Sequence, residues 1–102
     1  MRPPRRRLSD AAIIRERGAT KGRYVLRDGE AEAKLTLSIL GPDRGIPDHT
    51  EVPDAMRGTG AGRRLVERLV ADARVEGFTV IALCPFVRAQ AHRHPEWSDV
   101  FV

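Results

Sequence analysis

The sequence has one cysteine, Cys84, so no internal disulfide can form and the chain suits a reducing compartment. It has no apolar run as long as a membrane span, which excludes a transmembrane helix. The arginines near its start have no apolar segment behind them, so they do not read as a secretory signal. A cytoplasmic protein is expected, with no membrane partner. Aromatic residues are only 5% of the chain. Trp97, Tyr24 and three phenylalanines leave few platforms on which nucleic-acid bases could stack.

What is present describes an ordinary globular chain: 41% apolar and 31% charged residues in a length that allows one modest core. The formal charge is +4, and Arg2, Arg5, Arg6 and Arg7 account for all of it, because 14 basic and 14 acidic side chains remain without them. The basic excess is thus a tail and not a groove, which again argues against a nucleic-acid partner. Residues 1–8, with Pro3 and Pro4 among the arginines, are expected to be a disordered basic tail. Residues 9–102 are expected to form one domain. That body is polarised: residues 28–54 carry an acidic excess and residues 57–93 a basic one. A basic half suits a polyanionic ligand, and an acidic half suits a cationic amine.

The periodicities predict an α/β fold. Ala11–Ile14 is a weak first strand or helical turn, and Arg23 to Leu26 is a strand. The Asp28-Gly29 pair after it is suited to a two-residue hairpin. Ala31, Ala33, Leu35, Leu37 and Ile39 then alternate with Glu32, Lys34, Thr36 and Ser38, as a strand with one core face requires. After the turn at Gly41–Gly45, Ile46 to Val52 is a strand stopped by Pro53. Leu65, Val66, Leu69, Val70 and Ala73 form one helical stripe that Gly77 should end. Phe78 to Cys84 is almost continuously apolar, which predicts a strand buried on both faces. Two strands flanking a helix make a βαβ crossover with the strands parallel. Pro85 should open a second helix that Pro95 closes, and Val100–Val102 could add a last short strand.

The stretch Arg57-Gly58-Thr59-Gly60-Ala61-Gly62 sits directly before the first helix. Glycines let a backbone approach a ligand closely, and a helix start offers unpaired N–H groups at the positive end of its dipole. Together they make a phosphate site, with a tight turn at a crowded contact as the plainer alternative. A Walker loop is excluded because no Gly-Lys-Ser or Gly-Lys-Thr closes the stretch. The dinucleotide pattern is excluded because Arg63 stands where a small residue is required. What remains is Arg-x-x-Gly-x-Gly, at Arg57, Gly60 and Gly62. It resembles the coenzyme A pyrophosphate loop of the GNAT superfamily of acetyl-CoA-dependent N-acetyltransferases. His49-Thr50-Glu51-Val52-Pro53 before the loop resembles a short one-domain branch of that superfamily. So do Cys84-Pro85-Phe86-Val87 and Arg93-His94-Pro95-Glu96 after it. The resemblance is strong from Ile46 to Trp97, weaker from Arg23 to Ile39 and absent before that.

The resemblance implies a mixed sheet with antiparallel N-terminal hairpin strands, splayed parallel strands around Val52 and Cys84, and a C-terminal helix. Acetyl-CoA would lie in the splay, held by Val52, Arg57, Gly58, Thr59, Gly60, Ala61, Gly62 and Arg63. Oxyanion donors would come from backbone N–H groups near Glu51 and Val52. Glu51 is a candidate base, with an exposed strand residue as the alternative, and His49 competes from the same face. His92 and His94 match no metal-ligand spacing with Cys84, so no metal is expected. Many superfamily members carry a tyrosine acid on the last helix, but Gln90 and Ala91 stand in that region here. Cys84 is the candidate that replaces it, as proton donor to the leaving thiolate or as acetyl acceptor, against a buried hydrophobe as the alternative. The little chain before Arg23 implies an open acceptor site. The expected function is acetyl transfer to an amine of a small or flexible acceptor. A coenzyme A-binding sensor or adaptor with little turnover, and a plain interaction domain, are the alternatives.

Overall fold

The computed structural model describes residues 12–102. The expected tail at residues 1–8, and Ala11 of the weak first element, lie outside the described residues.

Four strands run antiparallel in chain order: β1 (Ile13–Arg17), β2 (Lys21–Asp28), β3 (Ala31–Leu40) and β4 (Arg44–Glu51). Helix α1 (Ala61–Glu76) then crosses to β5 (Thr79–Val80), which pairs parallel with β4. Helix α2 (Pro85–Arg93) follows, and short 3-10 turns occupy Asp54–Met56 and Pro95–Trp97. The sheet order is β1-β2-β3-β4-β5. Among the described residues, no helix is long and apolar enough to cross a membrane.

Alternation in β3 decides which face is the core. Ala33, Leu35 and Leu37 are buried, and the register sets Leu26 and Tyr24 of β2 beside Ala33 and Leu35. On this face lies the α1 stripe, with Leu65, Val66, Leu69, Val70 and Ala73 all buried. Val87 of α2, Trp97 and Val100 complete the same cluster. The other face is polar: Arg23, Thr36 and His49 share one row of the register, and Lys34 and Glu51 another. Ion pairs link neighbours across it, Arg23 to Glu16 at 2.9 Å and Arg27 to Glu32 at 2.8 Å.

Three details differ from the sequence expectation. The hairpin loop is Gly29-Glu30, not Asp28-Gly29, because Asp28 still pairs with Ala31. Gly29 takes φ +64° at the first central position, the place a type II′ turn reserves for glycine. The strand expected over Phe78–Cys84 is ordered as strand only at Thr79–Val80. Its last ladder bond to β4 runs from Ile81 N to Gly45 O at 3.0 Å. Beyond it the two chains separate, and Leu83 is left 64% exposed instead of buried. The C-terminal strand reduces to one parallel bridge between Val80 and Phe101.

Candidate functional site

The separation of β4 from the chain after β5 creates the site. β4 itself is irregular: its register against β3 jumps from His49 opposite Thr36 to Pro47 opposite Leu37, so Asp48 is an extra residue. Such a bulge bends a strand and re-aims its side chains. Beyond it, period two sends His49 and Glu51 to the polar face and Thr50 to the core face. His49 Nε2 lies 3.3 Å from Glu51 Oε1, and both side chains are exposed. Thr50 Oγ1 lies 3.6 Å from Cys84 Sγ. The thiol is 6% exposed and occupies the N-cap position of α2, where Arg88 N donates to Cys84 O at 2.9 Å. The three candidate catalytic residues are therefore not one cluster. His49 and Glu51 form a pair, while Cys84 meets Thr50 on the opposite face of β4. Thr50 was not singled out from sequence, although the same period-two argument that joins His49 to Glu51 turns it toward Cys84.

Val52 is half-buried against the core, and Pro53 leads into the Asp54–Met56 turn. Arg57 Nε meets Asp54 Oδ1 at 3.0 Å and its side chain is 76% exposed. The Thr59 hydroxyl donates to the Met56 carbonyl and closes the loop locally. Gly58 and Gly60 have φ +76° and +83°, the left-handed region that a Cβ disfavours. A methyl group placed on either would meet no atom within 4 Å, so these two glycines border open space. No side chain caps α1, and its first ladder bond runs from Arg64 N to Gly60 O at 3.0 Å. The first-turn N–H groups of Ala61, Gly62 and Arg63 therefore point along the axis toward the loop opening. Arg63 Nε is paired with Glu67 one turn on, at 2.8 Å. The donor set, the positive φ values and the open space at Gly58 and Gly60 fit an anionic group at this helix start.

Gly62 differs from its two neighbours. It is buried, and a methyl group added to it would lie 2.5 Å from Phe86 Cζ. Phe86 belongs to the first turn of α2, so this contact joins the start of α1 to the start of α2.

The chain's single tyrosine is engaged elsewhere. Tyr24 donates from its hydroxyl to Asp72 Oδ2 at 2.8 Å, and burial, aided by that bond, pushes its pKa well above the ordinary value. Its hydroxyl is thus tied to α1, and it does not stand on α2, where the resemblance implies a tyrosine. Gln90 of α2 is buried. His94 sits at the C-cap position of α2 and stacks on Trp97, their ring centroids 4.1 Å apart.

A model of the GCN5-related N-acetyltransferase family matches residues 23–100. No curated protein sequence matches the chain. The NMR solution structure of a GCN5-like candidate N-acetyltransferase from Staphylococcus aureus superimposes with a TM-score of 0.67. It shares 27% sequence identity, and the match covers 87% of each chain. With a mixed sheet that splays after β4, an uncapped helix behind a glycine loop, and a family match over most of its length, the chain belongs to the GCN5-related N-acetyltransferases.

Proposed function

We propose that this protein binds acetyl-CoA and transfers its acetyl group to the amine of a small or flexible acceptor, within a reducing, cytoplasmic compartment. The observation that carries the reading is the start of α1: an uncapped helix N-terminus behind two left-handed glycines that border open space. The N–H groups of Gly58 and of Gly60 to Arg63 would hold the pyrophosphate, while the Thr59 N–H stays bonded to the Met56 carbonyl at 3.3 Å, with Arg57 and Arg63 adding charge. The bound group supplies an activated acetyl thioester. Backbone N–H groups near Glu51 and Val52 would face the carbonyl oxygen as negative charge grows on it. His49 and Glu51 lie on the open polar face, where an approaching ammonium can lose a proton to them. Cys84 Sγ–H, held beside Thr50, is the proton source for the leaving thiolate or, in the other version, the atom that takes the acetyl group.

A second reading is favoured by two observations. Cys84 and the His49–Glu51 pair lie on opposite faces of β4, and α2 carries no tyrosine, so the base and acid functions are not assembled together. Under that reading the protein binds coenzyme A and turns over little. Native mass spectrometry of the purified protein with acetyl-CoA tests both. A bound-ligand mass, followed by loss of the acetyl group when amines are added, supports transfer. A bound mass that stays acetylated with every amine supports the binding module, and no bound mass overturns both.

A further inference from the structure

Gly58 and Gly60 are explained by their backbone angles, but Gly62 has an ordinary helical conformation and still leaves no space for a methyl group unless the Phe86 ring shifts. What it requires is room, and Phe86 fills that room. We infer that Gly62 and Phe86 form a seated wall: the ring marks one side of the route from the glycine cradle to Cys84, and Gly62 fixes where that wall stands. The inference rests on the coenzyme A reading and deepens it.

The route follows from connectivity. An anion at the start of α1 and a reactive end at Cys84 are separated by the first turn of α2, where Phe86 stands two residues after the cysteine. The ring is 36% exposed even though its tip is pressed on Gly62. An apolar surface beside an anion cradle is what a ligand with a charged head and a less polar arm needs. Phe86 is thus a positioning and specificity residue for the arm of the ligand, while the phosphates depend on the loop. A methyl group at position 62 would push the ring off its seat and across the route. The ring tip is the free end of a side chain, so the fold can absorb that shift.

The test compares coenzyme A with adenosine 3′,5′-bisphosphate, which carries phosphates without the arm, by calorimetry. In Gly62→Ala, alanine is the better helix former, so Tm should hold or rise. Coenzyme A affinity should nevertheless fall about tenfold or more, because the displaced ring obstructs the arm. The bisphosphate should lose no more than about twofold, because alanine keeps the backbone N–H that position 62 offers a phosphate. Gly62→Ala with Phe86→Leu, which removes the ring tip, should restore coenzyme A binding to within about threefold. The wall is overturned if Gly62→Ala binds coenzyme A like the wild type, if it loses both ligands equally, or if Phe86→Leu fails to rescue it. Wild-type protein that binds neither ligand overturns the coenzyme A reading itself, and the wall with it.

Discussion

The polar partner of the Cys84 thiol is a hydroxyl, Thr50, and the sulfur is nearly closed to solvent. A buried hydrophobe would need no such partner, and a catalytic group needs something to orient it. If Cys84 handles the proton or the acetyl group, Cys84→Ala should keep acetyl-CoA binding and lose transfer by about a hundredfold or more. Unchanged turnover in that variant, with an active amine in hand, would return Cys84 to the core. Arg57 presents the opposite case, an exposed guanidinium tied to Asp54 instead of reaching toward the glycines. Arg57→Ala should weaken coenzyme A binding by about 1.5–3 kcal/mol, the range for a hydrogen bond to a charged group. Asp54→Ala, which releases the guanidinium, should strengthen it; calorimetry showing both variants at wild-type affinity would remove Arg57 from the site. The residue types of the site were legible in the sequence, because glycines before a helix and a lone cysteine beside a proline have few physical uses. Their grouping was not. Whether Cys84 meets Glu51 or Thr50 depends on the face of β4, and the bulge at Asp48 alters which face each residue takes.

Where an element's own periodicity determines its burial, the sequence was sufficient. β3 alternates as read, and α1 runs to the left-handed glycine at position 77 that terminates it. Where burial depends on a neighbour, it was not. Ile81 to Leu83 are as apolar as a central strand, yet the splay takes β4 away from them and Leu83 faces solvent. The docking of β1 on α1 was likewise invisible, because it is made by charges more than 50 residues apart. Arg15 and Arg17 both reach Glu76, at 3.1 and 3.0 Å, and Arg15 also lies 3.3 Å from Asp72. Arg15 further stacks its guanidinium over the Tyr24 ring, 5.6 Å from the centroid. The hydrogen bond from Arg15, above all, holds the Glu76 carboxyl below its ordinary value. A carboxylate whose pKa is lowered by folding stabilises the fold above its unfolded value of 4.5. That contribution disappears as pH falls through the folded value. Tm should therefore drop as pH falls from about 4.5 through the folded value, and Glu76→Gln should flatten this acid limb while lowering Tm at neutral pH. An acid limb of the same slope in the variant would assign the effect to other carboxylates.

Over the whole molecule, charge is distributed in a way that no single contact explains. The net charge of +4 resides in Arg2, Arg5, Arg6 and Arg7, while the rest of the chain is neutral but divided. Arg57, Arg63, Arg64, Arg88 and Arg93 fall on the loop, on α1 and on α2, the elements around the proposed anion cradle. Two sources could therefore draw a polyanion to this protein, and they make different forecasts. If the body steers the ligand, its field acts over roughly a Debye length, about 10 Å at 0.1 M salt, from the cradle itself. If the tail steers it, attraction follows the first seven residues. Their removal makes the experiment clean, because it takes away the entire net charge and leaves the divided body intact. With the body in control, protein lacking residues 1–7 should bind coenzyme A with wild-type affinity. Its association rate should still fall steeply as salt rises from about 0.02 to 0.5 M. Stopped-flow measurement at several salt concentrations would decide it. A truncated protein whose association no longer responds to salt would show that the arginine tail, and not the basic half of the body, gathers the ligand.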